Sequence, residues 1–339
     1  MKKIFVIIFS ILVAITILVY SSSTKVFNKK SVLPEKSNVN LEGAIKPWDY
    51  EKLLGKGMDV DWSKTQQGRK YYNKQAVKDF KEAGISHVRI RISNKVTEEL
   101  LQDLDKQIND CLENGVKPII AYQADEFKNE PSDKNIQKVV EWWKIVAERY
   151  KNYSHLLAFD LLIESTDALN KQPEKLNEIY EKIVTEIRNT NKTRIIMISP
   201  TLRSDADYLK DLKIPSQHNG YLMAEWHFYA SGPSKTNERK LWTTGNEKEK
   251  KLINDKINTA LAWQKETGIP TWVGAWMPGN YNDGNDYSIK EQIEFAKYMT
   301  EQLYKAGIPF AVNSDTKFYN RESNKWIDEM QPVFKAIFK

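Results

Sequence analysis

The chain is poor in the residues that hold metals and cross-links. Among 339 residues there is one cysteine, Cys111, and there are four histidines, His87, His155, His218 and His227. A lone thiol excludes a disulfide within the monomer and a thiolate zinc cage, and the histidines are scattered without ligand spacing, so no metal is expected. No Gly-x-Gly-x-x-Gly turn follows the first predicted strand, which argues against a doubly wound open sheet, and no cofactor is expected. Charge of one sign is scarce as well. Lys and Arg number 51 against 45 Asp and Glu, a net +6, and the first fifty residues alone carry seven Lys against three acidic groups. The rest of the chain is therefore nearly neutral, and no nucleic-acid-binding surface is implied.

Long apolar stretches are limited to one. Lys2 and Lys3 precede an apolar run from Ile4 to Tyr20, followed by Ser21-Ser22-Ser23. At about 17 residues the run exceeds the apolar core of a signal peptide and reaches the lower limit for a membrane span. No small-x-small cleavage site stands out and no cysteine follows, which points to a retained signal anchor over 1–24, with cleavage and secretion as the alternative. The basic residues ahead of the span put the amino terminus inside and the bulk of the chain outside, at the cell surface. Residues 25–49 are polar, without periodic apolar positions, and read as a tether.

Residues 50–339 are long enough for one large domain, and they alternate between two patterns. Eight short apolar runs read as strands: Leu54 to Val60, Ser86 to Ile92, Lys117 to Tyr122, Leu156 to Ile163, Arg194 to Ile198, Gly220 to Phe228, Thr271 to Ala275 and Ile308 to Val312. Between them lie amphipathic segments of helical period, such as Thr97 to Glu113 and Asp133 to Tyr150, several of them ending at a glycine suited to a left-handed cap. Eight strand-helix units over this length predict an α/β fold, a (β/α)8 TIM barrel. In such a barrel, chemistry sits at the carboxyl ends of the strands. The run Ala158-Phe159-Asp160-Leu161-Leu162-Ile163-Glu164-Ser165 closes on a carboxylate there, which makes Glu164 a catalytic candidate.

Four stretches resemble glycoside hydrolase family 5, the cellulase and mannanase family. Val88-Arg89-Ile90 is similar to its second-strand element, and Phe159 to Ser165 to its fourth-strand Asn-Glu-Pro element. His227-Phe228-Tyr229 is similar to the sixth-strand His-x-Tyr, and Pro270 to Trp276 to the seventh-strand Gly-Glu-Phe-Gly. The resemblance implies that Glu164 is the general acid/base, that Arg89 orients carboxylates at the cleavage subsite, and that His227 and Tyr229 are polar groups around it. It also marks departures. The nucleophile position is Ala275, the Asn before the acid is Ile163, and the eighth-strand Trp that floors the site falls on Asn313. A methyl group neither attacks an anomeric carbon nor activates water, so a second carboxylate has to come from elsewhere. Glu225, His227 and Tyr229 alternate on one strand and share a face, which makes Glu225 the first candidate unless it is paired with Arg89 or Arg91. Asp315 is the second, and Asp59 and Asp61 follow. A wide pair of this kind leaves room for water and predicts inversion.

Ten Trp and sixteen Tyr provide many faces for sugar rings. Trp276 after the seventh strand and Trp62 after the first are the expected stacking platforms, whereas Trp142-Trp143 and His87 read as structural. The resemblance, taken with the apolar run Ile4 to Tyr20, points to a monomeric, membrane-anchored glycosidase acting on a β-linked polysaccharide. The alternative is a barrel that has lost hydrolysis and binds surface glycan.

Overall fold

The computed structural model describes residues 43–229, 241–242, 244–279 and 287–339. Eight parallel strands close into a barrel in chain order. They are β1 (Lys56–Ser63), β2 (His87–Ile92), β3 (Lys117–Tyr122), β4 (Ala158–Asp160), β5 (Ile196–Ile198), β6 (Leu222–Tyr229), β7 (Thr271–Met277) and β8 (Phe310–Val312). β1 pairs with both β2 and β8, so no edge is left open. The long helices are α1 (Pro47–Leu54), α2 (Lys74–Glu82), α3 (Glu98–Glu113), α4 (Asp133–Tyr150), α5 (Pro173–Arg188), α6 (Glu247–Thr267), α7 (Ile289–Ala306) and α8 (Gln331–Phe338). α6 and α7 each start at a reciprocal cap, Asn246 with Glu249 and Ser288 with Glu291, and each stops at a left-handed glycine, Gly268 or Gly307. The fifth unit has a four-residue helical turn, Thr201–Ser204, and a 3-10 stretch, Ala206–Asp211, in place of a long helix.

Strand side chains alternate between two environments. Outward residues such as Met58, Val60, Val88, Ile90, Phe159 and Trp226 join the large core beneath the helices. Trp142 and Trp143 of α4 are part of the same core. Inward residues divide by height. At the amino-terminal end Ile119, Ala158, Met197, Met223, Trp272 and Ala311 form an apolar plug closed by Tyr50 and Leu54 of α1. His87 ties that plug together: its Nδ1 lies 2.7 Å from the Leu54 carbonyl, and its Nε2 accepts from Trp272 Nε1 at 3.2 Å. Burial pushes the His87 pKa down to about 3, so the ring is a neutral structural group. The inward residues above the plug are charged.

One helix crosses the expected start of the barrel domain at residue 50. α1 begins at Pro47, so the folded domain starts ahead of residue 50. The expected anchor and most of the expected tether lie outside the described residues, and among the described residues no helix is long and apolar enough to cross a membrane. Cys111 is buried and free.

Candidate active site

Glu164 lies four residues beyond the last paired residue of β4, in a loop rather than in the strand. Its φ is +56°, a left-handed conformation that costs a residue with a Cβ roughly 1 kcal/mol or more. The turn is held on both sides of the residue before it: Ile163 N–H donates to the Tyr122 carbonyl at 2.9 Å, and the buried Lys128 Nζ donates to the Ile163 carbonyl at 3.0 Å. This aims the carboxylate at β6. Glu164 Oε1 accepts from His227 Nδ1 at 2.7 Å, Tyr229 Oη stands 3.5 Å away, and Arg203 Nη1 is 3.6 Å from Oε2. The Glu164 side chain keeps 16% of its surface exposed.

Beneath it runs a ladder of alternating charge. His227 Nε2 is hydrogen-bonded to Glu225 Oε1, which also accepts from Arg89 Nη2 at 2.6 Å. Arg89 Nε donates to Asp160 at 2.7 Å and its Nη1 to Asp59 at 3.2 Å. Arg89, Glu225, Asp59 and Asp160 are all fully buried. Desolvating each ion costs several kcal/mol, and one guanidinium facing three carboxylates offsets that cost by close pairing. Burial, with Glu225 beside it, pushes the Asp160 carboxyl well above the usual carboxylate range against the pull of Arg89. Burial acts on Glu225 in the same sense, but Arg89 and His227 outweigh it and hold Glu225 below its ordinary value. For His227, burial is overcome by Glu225 and Glu164, and the pKa rises to about 9. For Glu164 the hydrogen bond and charge of His227, with Arg203 and Lys128, overcome burial and bring the pKa down to about 2. The resting site is therefore an ionised Glu164 against an imidazolium.

Several expected site residues stand elsewhere. Glu225 does not reach the cleft: it sits under His227, against Gly274, where a Cβ would come within 2.0 Å of its Oε1. Asp315 is likewise fully buried, accepting from the Asp61 N–H at 3.1 Å and paired with Arg321 at 3.1 Å. Neither is placed to activate a water on a substrate. Trp62 and Trp276 are 0% exposed and cannot stack on sugar. Alternation after the inward Asp61 turns Trp62 outward onto Tyr72 and Phe80, whereas at Trp276 a register shift after Val273 breaks the count from the inward Trp272 and turns the ring outward onto Phe295 and Phe310. Arg89 braces the ladder from below rather than touching the cleft. Asn313 is buried and donates to Tyr229 Oη at 3.4 Å. Ala275 lies inward against Tyr229 and Met277. Of the four carboxylates considered beside Glu164, Asp61 alone keeps side-chain exposure, 20%, at the top of β1, where Arg91 Nη2 holds it at 2.6 Å.

Sequence reasoning missed Lys128, Asp160 and Arg203. Leu202, Arg203 and Ser204 have successive φ values of +51°, +57° and +63°, a left-handed turn that brings Arg203 to Glu164 and has no glycine to announce it. A cavity of about 210 Å³ lined by Arg203, His227, Tyr229 and Lys256 opens beside the pair.

A family model for cellulase, glycosyl hydrolase family 5, matches residues 51–313. Endoglucanase H of Acetivibrio thermocellus is 24% identical over 319 residues, covering 87% of this chain and 34% of that protein. Endoglucanase C of the same organism is 26% identical over 178 residues, 47% of this chain and 50% of that protein. The chain thus spans a third to a half of the length of these relatives. Among solved structures, endoglucanase Cel5A of Thermotoga maritima superposes with a TM-score of 0.73 at 22% identity, covering 86% of this chain and 100% of that one. The cellulose synthase subunit Z of Clostridioides difficile gives 0.72 at 20% identity, over 84% and 100%.

Proposed function

We infer the activity from one premise: the chain belongs to glycosyl hydrolase family 5, the cellulase family. On that premise the protein hydrolyses O-glycosidic bonds of a β-linked polysaccharide at the carboxyl end of the barrel, and Glu164 protonates the departing glycosidic oxygen. The observation that carries the reading is the partly exposed Glu164 carboxylate, held by a strained turn at 2.7 Å from His227 Nδ1. Strain and a perturbed ion pair at a barrel mouth are features of a reacting centre. Asp61 is the group we assign to water activation. It projects from β1, three strands from β4 in the closed barrel, so the two carboxylates approach from well-separated walls. Cel5A of Thermotoga maritima has been crystallised with cellobiose and with mannotriose, which makes β-glucans and β-mannans the panel to try. The full-length protein in detergent should release new reducing ends from at least one of them; an inert panel would remove the reading.

A second reading, a glycan-binding barrel without hydrolysis, is favoured by Ala275, whose methyl occupies the inner face of β7. Binding without cleavage, together with activity gained by Ala275→Glu, would establish it. We further propose that the run Ile4 to Tyr20 is retained as an anchor, holding the barrel at the outer cell surface. Recovery of the protein in the membrane fraction after salt and alkaline washes is the expected result, and a mature amino terminus near Ser21 would refute it.

A further inference from the structure

The geometry points to His227, not Glu164, as the store of the acid proton of this site, with Glu225 as the positioning residue that keeps it there. This rests on the hydrolase reading for its purpose, though not for its geometry. His227 Nδ1 faces Glu164 Oε1 at 2.7 Å, and its Nε2 faces Glu225 Oε1. A neutral imidazole has one N–H and would turn a lone pair on one of these carboxylates; only the imidazolium donates to both. Arg89, whose Nη2 donates to the same oxygen, and the ring itself hold Glu225 as a carboxylate, which can only accept from Nε2.

The surroundings agree in sign. From β1, Asp59 attracts the ring, and from β2, Arg89 is engaged by three carboxylates. Arg91 of β2 is turned to Asp61 and Asp59. From the connection after β5, Arg203 lies on the far oxygen of Glu164, and Asp205 is held by Lys256 of α6 at 2.5 Å. Lys128 lies behind Glu164, and Tyr229 of β6 stands beside it. β7 and β8 present the uncharged Ala275 and Asn313.

In the reaction the Nδ1 proton passes through the Glu164 carboxyl group to the glycosidic oxygen, which takes the electron pair of the breaking C–O bond. The attacking water loses one proton, and solvent returns one to the imidazole. Glu164 begins and ends each turnover as a carboxylate.

Two measurements test this on the full-length protein. Nitrogen-15 NMR of histidine-labelled protein, assigned with His227→Asn, should show both ring nitrogens of His227 protonated at pH 7.5, with deprotonation near 9. In Glu225→Gln the alkaline limb of kcat/KM on soluble β-glucan should move down by about one pH unit or more, because the isosteric amide removes the anion that holds the imidazolium. A neutral His227 at pH 7 in the wild type, or an unmoved limb in Glu225→Gln, overturns the inference. If that variant does not fold, the wild-type titration decides alone. An imidazolium on an enzyme inert to every glycan would refute the hydrolase reading and with it the catalytic use of the proton, while upholding Glu225 as the residue that sets the charge of His227.

Discussion

Removing Arg89 exposes the ladder to its own electrostatics. Arg89→Met keeps the length of the stem over Trp272, whose ring lies 5.6 Å from the guanidinium carbon, but leaves Asp59, Asp160 and Glu225 without their shared cation. Burial already raises Asp160 well above the usual carboxylate range, so it adds least to the stranded charge. Glu225, together with Asp59, is left as uncompensated buried charge, and breaking a buried pair from one side costs about 3 to 5 kcal/mol. For a domain of this size that corresponds to roughly 6 to 15 °C in Tm. The loss also depends on pH. In the wild type Glu225 titrates below the ordinary Glu value, so its pairing stabilises the fold above that ordinary value and is lost as pH falls through the lowered one. Without Arg89 the buried carboxylates titrate above their ordinary values. The penalty is then full at pH 8 and shrinks as pH falls through those raised values, because protonation removes the stranded charge. Thermal unfolding followed by circular dichroism at one scan rate, at pH 8 and pH 5, reads both effects. A wild-type-to-variant gap below 1 kcal/mol, or one equal at the two pH values, would refute the charge ladder.

Glu164→Gln keeps the shape of the group and removes its proton chemistry, so turnover should fall by about 10² to 10⁴ while glycan binding persists in a pull-down on insoluble cellulose. If Asp61 and Glu164 work from opposite walls, proton NMR of fresh product from a β-linked substrate should show the α-anomer first, and Asp61→Asn should suppress it; a β-anomer formed first would mean a nucleophile among other residues. Trp276→Leu, set beneath α7 against Phe295 and Phe310, should cost about 2 to 4 kcal/mol in urea unfolding and leave KM unchanged, whereas a rise in KM at full stability would return Trp276 to the sugar site.

The barrel was legible because its signals are local. Apolar runs, helical period and terminal glycines each involve residues a few positions apart, and eight repeats of that pattern admit few architectures. Period-2 alternation determined that Glu225, His227 and Tyr229 share a face, and the same rule turns Trp62 away from Asp61 into the helix layer, whereas Trp276 faces the helices because a register shift after Val273 breaks the count from the inward Trp272. What the alternation leaves open is depth along the barrel axis and the partner met there. Glu225 lies below His227 by its place on the same strand, but Arg89 meets Asp59, Asp160 and Glu225 across 30, 71 and 136 positions of chain, and only strand stagger decides that Arg89 reaches Glu225 while Glu164 lies above His227. The left-handed turn of Arg203, with no glycine in it, is likewise imposed from outside: Leu202 N–H donates to Asn170 Oδ1 at 2.8 Å and Arg203 N–H to the Ser165 carbonyl at 3.3 Å. Residue types and, away from register shifts, strand faces thus belong to the sequence. Charge states belong to the tertiary structure, because a carboxylate's proton affinity is set by desolvation and by neighbours that the closed barrel alone brings within hydrogen-bonding distance.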